Sequence, residues 1–213
     1  MTSDLFYLLS GSCLILMICG VLYIRFLLAE RKTLRELAYR DPITGLLNRN
    51  GYQQLWTQYR GKYRLAFLSL DLDGFKEIND TYGHAAGDQL LQEISLSLQQ
   101  ITNNNQQAFR MGGDEFLIIL KNCEPALVEV IAELLLNKIE RPYFIQDRDI
   151  SVTGSIGISI RHATRADWPV MMEEADRAMY FAKQLGKNCY CVYANSRQEQ
   201  ASYVDSTKAQ KSI

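Results

Sequence analysis

The run Arg110-Met111-Gly112-Gly113-Asp114-Glu115-Phe116, followed at once by the apolar stretch Leu117 to Leu120, constrains this chain more than any other segment. Paired glycines between two short pieces of strand character predict a tight hairpin. Glycine adopts the positive backbone torsions such turns need, and it lets a ligand lie close to the main chain. Asp114 and Glu115 then sit at the hairpin tip. Adjacent carboxylates repel, so the fold gains little from them unless a cation or a ligand is held there. The pattern points to metal-assisted phosphate chemistry.

The chain has 213 residues, room for one sizeable core and an appendage. Its formal net charge of -1 provides no global basic field, and nucleic acid is not an expected partner. Cys13, Cys19, Cys123, Cys189 and Cys191 show no metal-type spacing. Cys189 and Cys191 would point to one side of a strand, with no second pair elsewhere. The cysteines read as small apolar fillers in a reducing compartment. There is no long internal repeat and no low-complexity domain.

Leu5 to Ile24 is almost wholly apolar and uncharged. Its length suits a hydrocarbon core of about 30 Å at roughly 1.5 Å rise per residue. Asp4 precedes it, and Arg25, Arg31, Lys32 and Arg35 follow it. Since the basic side stays cytoplasmic, residues 1–28 are expected to be a single-pass anchor with the remainder of the chain in the cytoplasm. A cleaved secretory signal fits poorly, because there is no basic leader and the apolar run is long. A buried core helix would be unusually uniform. Residues 29–40 are expected to be a helical stalk. Leu27, Leu34, Leu37 and Ala38 fall near heptad spacing with charges between them, which suits either a short parallel coiled coil or a single amphipathic helix. The polar tail 195–213, mixed in charge, is expected to be disordered.

Residues 41–194 alternate helix and strand patterns. Tyr52, Leu55, Trp56 and Tyr59 fit an amphipathic helix. Leu65 to Leu70 fits a central strand buried on both faces. Leu90, Leu91, Ile94, Leu98 and Ile101 share one helical face. Phe109 to Met111 and Phe116 to Leu120 flank the glycine turn. Leu127, Val130, Ile131, Leu134 and Leu135 predict another helix, and Val152, Ile156, Ile158 and Ile160 another strand. Ala175 to Leu185 reads as a helix capped by Gly186, followed by a last strand at Tyr190 to Tyr193. The expected fold class is α/β, a sandwich of helices on a largely antiparallel central sheet.

A second acidic site ends the first strand at Asp71-Leu72-Asp73. Asp73 before Gly74 fits ordinary turn chemistry. Asp71, at the end of a buried strand, needs another reason. If this strand neighbours the glycine hairpin, Asp71 faces Asp114 and Glu115. Such an oxygen-only set suits magnesium, which keeps some waters and takes phosphate oxygens as further ligands. Lys76 lies a few residues on, within reach of a phosphate. Asn79 and Asp88 flank a glycine-containing bend. A carboxylate and an amide together can read the donor and acceptor edge of guanine. Each alone also suits a cap or a turn; Asp88 precedes a helix expected to begin near Leu90. His84 alone suits a structural role.

With these residues in view, the chain resembles the diguanylate cyclase family, named for its Gly-Gly-Asp-Glu-Phe run. The resemblance covers roughly Leu37 to Ala194 and rests on blocks in family order. These are Asp41-Pro42-Ile43-Thr44-Gly45-Leu46-Leu47-Asn48-Arg49, then Asp71 to Asp88, then Arg110 to Phe116. Val152 to Gly157 follows, and then Ala175 to Lys183 with Gly186-Lys187-Asn188. The resemblance implies a palm-like fold shared with nucleotide cyclases and polymerases. It implies one GTP per subunit and a homodimer in which each ribose 3′-hydroxyl attacks the partner GTP's α-phosphate. Pyrophosphate leaves and cyclic di-GMP forms, to be sensed by downstream receptors that govern behaviour such as biofilm formation. By this resemblance Asp71 and Asp114 match metal carboxylates, with the Leu72 carbonyl as a backbone ligand to Mg2+, or to Mn2+ in its place. Glu115 matches a residue assigned to metal binding or to activating the hydroxyl. Asn79 and Asp88 match guanine readers, and Lys76, Lys183 and Lys187 match phosphate contacts. Gly112 and Gly113 match the turn against which GTP lies. A family setting places the anchor in the bacterial cytoplasmic membrane.

One departure has a consequence. Many relatives carry Arg-x-x-Asp upstream of the glycine turn as a product-binding inhibitory site; here those positions are Asn103 and Gln106. Neither side chain can form a bidentate guanidinium grip, and weak or absent product inhibition at that site is expected. Two further readings stand beside the enzyme. One is a catalytically silent GTP-binding domain of the same fold, the other a membrane-tethered interaction protein. The intact acids at Asp71 and in the Gly-Gly-Asp-Glu-Phe run argue for the enzyme.

Overall fold

The computed structural model describes residues 2–59, 62–101, 106–162 and 167–194. The side chains of residues 2–10, 12, 13 and 58 lie outside that description, as do Asn103 and the tail from 195, where disorder was expected. The chain divides into two units, Met1–Tyr39 and Arg40–Ile213.

The first unit is one unbroken helix, α1 (Thr2–Tyr39). No interruption marks the expected passage from anchor to stalk. Its described large apolar side chains, from Leu14 through Leu28 and again at Leu34 and Leu37, are exposed. Among the described residues no helix is long and apolar enough to cross a membrane. The anchor expected over 1–28 is therefore not found among them. Most of its side chains before Leu14 are outside the description, and the described part soon meets Arg25.

The second unit is built on a five-stranded sheet of order β2-β3-β1-β6-β7. Its strands are β1 (Leu65–Asp73), β2 (Gln106–Gly112), β3 (Glu115–Lys121), β6 (Thr153–Arg161) and β7 (Tyr190–Val192). β1 is central, antiparallel to both β3 and β6, and β2 is antiparallel to β3. Among the described strands of this sheet, only the β6–β7 pairing is parallel. The sheet is thus mixed and mostly antiparallel, as the pattern of strands implies. A small separate hairpin, β4 (Tyr143–Ile145) and β5 (Arg148–Ile150), was not anticipated.

Helices cover both faces. α3 (Phe75–Tyr82), α4 (His84–Ile101) and α5 (Pro125–Ile139) pack on one, α2 (Arg49–Tyr59) and α6 (Trp168–Gln184) on the other. Alternation along β1 divides the residues. Ala66, Leu68, Leu70 and Leu72 join the core under α4 and α5. Leu65 and Phe67 join Tyr52, Phe109, Met171 and Ala175 on the opposite face. On that face β1 then turns polar, at Ser69, Asp71 and Asp73. β6 does likewise: Ile156 and Ile158 face the main core, whereas Ser155, Gly157 and Ser159 lie beneath α6. Small residues let α6 approach closely. A Cβ at Gly157 would lie 2.0 Å from the Ala175 carbonyl oxygen and 2.1 Å from the Met179 nitrogen, so only glycine fits. The approach sets the height of α6 over the strand that carries Asp71.

Candidate active site

The end of β1 and the tip of the β2–β3 hairpin meet in register. Asp71 stands directly opposite Glu115 across the β1–β3 ladder and opposite Ser155 across the β1–β6 ladder. Side chains so opposed lie about 5 Å apart, and like charges there destabilise a sheet. Burial raises the Asp71 carboxyl above its ordinary value; Lys183 pulls it down, while Asp114 and Asp73 push it up. Glu115 is also held high, by burial first and then by Asp71, Asp176 and Asp114. Lys183 Nζ, from α6, lies 2.8 Å from Asp71 Oδ1. One ammonium thus faces a group of carboxylates from two strands and a turn. A fold does not gather such charge for its own stability.

Asp73, two residues further along the same face, is differently placed. Thr153 Oγ1 donates to its Oδ2 and Ser155 Oγ to its Oδ1, both at 2.7 Å, and the Asn188 amide donates to Oδ2 at 3.1 Å. These bonds fasten β6 and the α6–β7 loop to the end of β1. Asp73 is a structural anchor, a role that turn chemistry before Gly74 did not reveal.

The hairpin itself is held from beneath. Gly113 has φ 54°, the left-handed region that glycine enters freely, and a bulge falls between Arg110 and Gly112. Arg110 is 7% exposed. Its Nε and Nη2 donate to the Gly113 carbonyl at 3.0 and 2.8 Å, and its Nη1 to Asp41 Oδ1 at 2.8 Å. The same Asp41 oxygen accepts from the Thr44 amide and hydroxyl. Burial alone would raise Asp41, but the hydrogen bonds from Arg110 and Thr44 outweigh it and leave the carboxyl below its ordinary value. The loop after residue 40 therefore positions the glycine turn. The two segments lie 69 residues apart along the chain, and no local pattern joins them.

The remaining expected residues fall around this centre. α3 begins directly after Gly74, with Lys76 exposed and Asn79 half-buried. The Asn79 amide lies over Gly87, where a Cβ would come within 1.9 Å of its Oδ1. Asp88 follows Gly87 and is exposed. The α3–α4 corner thus brings Asn79 beside the backbone next to Asp88. Asp88 is not a cap, however: α4 already starts at His84, before the first apolar residue of its stripe at Leu90. Lys187, exposed and with φ 66°, sits in the loop after α6. Lys183, expected at a phosphate, pairs with Asp71.

Among the described residues no group of three or more His, Cys, Asp or Glu side chains forms a ready-made metal cage. The donors present are hard oxygens, and burial with neighbouring carboxylates holds two of them, Asp71 and Glu115, above their ordinary values, which suits a divalent cation that also takes water and phosphate oxygens. These residues fit magnesium on the charge they share.

Comparison with known proteins accords with this geometry. The family model described as "Diguanylate cyclase, GGDEF domain" matches residues 38–189, and the chain belongs to that family. Proteins of the family are typically nucleotidyltransferases, and its cyclases generally use Mg2+. A diguanylate cyclase of Vibrio cholerae is 32% identical over 175 residues, which is 78% of this chain and 53% of that protein. The Escherichia coli protein named cyclic di-GMP phosphodiesterase PdeR is 35% identical over 187 residues, 86% of this chain. The chain spans 28% of PdeR and 25% of the bifunctional Pseudomonas aeruginosa protein MucR, which it also matches. Among solved structures, the coiled coil and GGDEF domain of Caulobacter crescentus DgcB superposes with TM-score 0.76 at 24% identity, covering 83% of this chain and 96% of that one, and shows the shared fold. The GGDEF domain of P. aeruginosa TpbB (YfiN) gives TM-score 0.67 at 31% identity, covering 73% and 94%.

Proposed function

We propose that this chain is a diguanylate cyclase: a homodimer condenses two GTP into cyclic di-GMP and two pyrophosphates. The observation that carries the reading is the register of Asp71 against Glu115 beside the glycine turn, an arrangement of opposed carboxylates with Asp114 close by that the single Lys183 ammonium offsets only in part and that a bound cation would relieve. Asp71, Asp114, Glu115 and the Leu72 carbonyl are the groups that would hold Mg2+ or Mn2+. When bound, the metal supplies charge that eases ionisation of the 3′-hydroxyl and stabilises the attacked phosphate and the leaving pyrophosphate.

The chain's own residues do the rest by position and charge. Asn79 and Asp88 read guanine, the amide serving the carbonyl side and the carboxylate accepting the N–H side. Gly112 and Gly113 present backbone to the nucleotide, held there by Arg110. Lys76 and Lys187 meet the phosphates. Lys183 neutralises Asp71 until substrate arrives and then turns to phosphate, which keeps the carboxylate group from standing unpaired. The hydroxyl oxygen bonds to the partner GTP's α-phosphorus, the bond to the β-phosphate oxygen breaks, and the hydroxyl proton passes to solvent or to Glu115. Each half-site holds one substrate, and dimerisation is a natural control.

The uncharged run Leu5 to Ile24, with basic residues after it, supports a single-pass anchor in the bacterial cytoplasmic membrane with the domain in the cytoplasm. The product would act through separate cyclic di-GMP receptors. Incubation of the full chain with GTP and Mg2+, with products read by mass, tests the reading. Cyclic di-GMP that disappears with Asp114→Ala is expected; folded protein that binds GTP and forms no product contradicts it and favours the silent GTP-binding alternative. Membrane fractionation tests the anchor, which a wholly soluble chain would exclude.

A further inference from the structure

A groove of about 560 Å³ is lined by residues from the start of α2 and from α6. Its size lies within the range of small-molecule sites, about 300–1,000 Å³. Trp168, Met172, Tyr180 and Phe181 line it, as do Arg49 and Arg177, the Arg177 guanidinium carbon lying 5.9 Å from the centre of the Tyr193 ring. The indole Nε1 of Trp168 is buried and has no hydrogen-bond partner among the described residues. Beneath that ring, at 5.3 Å between centroids, lies Tyr52, fully buried, whose hydroxyl also has none. Buried donors are nearly always satisfied, so the unsatisfied indole N–H of a residue that lines an open groove points to an acceptor supplied from outside; the Tyr52 hydroxyl lies deeper and does not line the groove. Aromatic walls take a flat ring, and guanidinium groups take a carboxylate or phosphate.

We propose that this groove binds a small planar aromatic anion, with the ring against Trp168 and Tyr180, an acceptor on Trp168 Nε1 and the charge at Arg49 and Arg177. The two carboxylates there, Glu173 and Asp176, set a preference: a ligand that also carries N–H donors binds better than one without. Asp176 already accepts from Ser69 Oγ at 2.8 Å.

The groove is tied to the reaction centre through one helix. Ser69 lies on β1 two residues before Asp71, and Asp176 is among the charges that hold Glu115 high. α6 carries every named groove residue except Arg49 and, one turn beyond Tyr180, the Lys183 that pairs with Asp71. A ligand that orders this helix changes how readily Lys183 leaves Asp71. By linkage, metal and GTP binding then change the affinity of the groove. The effector role rests on the cyclase reading; the binding does not.

The test is calorimetric titration of the full chain with 1-naphthyl phosphate and, separately, with AMP, in EDTA so that metal-dependent nucleotide binding is silent. Saturable binding with a dissociation constant on the order of 0.1 mM is expected. Trp168→Phe keeps a ring and removes the N–H, and loss of that hydrogen bond weakens binding about tenfold. Tyr180 is 60% exposed, so Tyr180→Ala spares the core and also weakens binding. Binding of AMP alone assigns the site to nucleotides; binding of both, or of naphthyl phosphate alone, assigns it to aromatic anions at large. No saturable binding of either probe, or binding undiminished in both variants, overturns the proposal. The heat of binding is read without turnover, so failure of the cyclase reading leaves this result intact. A change in cyclic di-GMP formation by the same probes, absent in Tyr180→Ala, extends it to regulation.

Discussion

The two faces of β1 do different work. Toward α4 and α5 the strand presents Ala66, Leu68, Leu70 and Leu72, all buried among apolar neighbours. Toward α6 it presents Leu65 and Phe67, then Ser69, Asp71 and Asp73. One face closes the core; the other trades apolar burial for charge as it nears the hairpin. The polar face is itself divided. Asp73 accepts three hydrogen bonds and fastens β6 and the α6–β7 loop. Asp71 has one lysine and faces a second carboxylate. Two aspartates, two residues apart on one face, thus separate into one whose oxygens are satisfied within the fold and one held by a single lysine, the one that the proposed function makes a chemical group.

Substitutions break this contrast in order of size. Asp114→Ala is expected to lower cyclic di-GMP formation by about 10³-fold or more, since both charge stabilisation and metal retention are lost. Its melting temperature stays within a few degrees of the parent; a large fall would assign Asp114 to the fold. On the apolar face, Leu68→Ala removes a fully buried side chain and is expected to destabilise by about 3 kcal/mol in urea titration. Asp73→Ala strands the hydroxyls of Thr153 and Ser155 and the Asn188 amide. About 2 kcal/mol is lost, with activity falling as a consequence of the displaced loop.

Acid reads the hairpin support. The folded-state pKa of Asp41 is depressed, so its contribution is fully present above the ordinary carboxylate value of 3.8 and is lost as pH falls below that, through the folded value. Asp41→Asn should remove that part of the acid sensitivity, measured as urea stability between neutral and acid pH. An unchanged pH profile would mean that Arg110 is held by Gly113 alone. The smallest effect concerns product. Cyclic di-GMP added to a turnover assay should change the initial rate by less than about twofold, because Gln106 carries no charge to grip it.

Much of the fold was legible where apolar periodicity was long: the central strand, the helix from Leu90 to Ile101 and the alternating Ile156, Ile158, Ile160. Shorter elements left weaker traces. α3 holds eight residues with only Phe75 and Ile78 buried, too short a stripe to announce a helix. The first turn of α4, His84 to Gly87, has no apolar stripe, which hid its true start and made Asp88 resemble a cap. The β4–β5 turn uses Gln146 and Asp147 at positive φ of 51° and 59°, without the glycine that normally announces such a turn.

At the site, the acids of the hairpin and Asp71 were readable because burial and repulsion make such residues costly. The bonds that position them were not. Arg110 to Asp41, Lys183 to Asp71, and Thr153 and Ser155 to Asp73 each join segments distant in sequence. Only the folded register brings those pairs together.

The central claim is that the Asp71–Glu115 opposition serves chemistry at the expense of stability. Asp71→Asn, assayed in parallel for cyclic di-GMP formation with GTP and Mg2+ and for melting temperature, tests it most directly. Product formation lost with a melting temperature equal to or above that of the parent is the result predicted, since relief of like charge offsets the lost Lys183 pair. Product retained, or lost together with a large drop in melting temperature, would contradict it and make Asp71 a structural residue like Asp73.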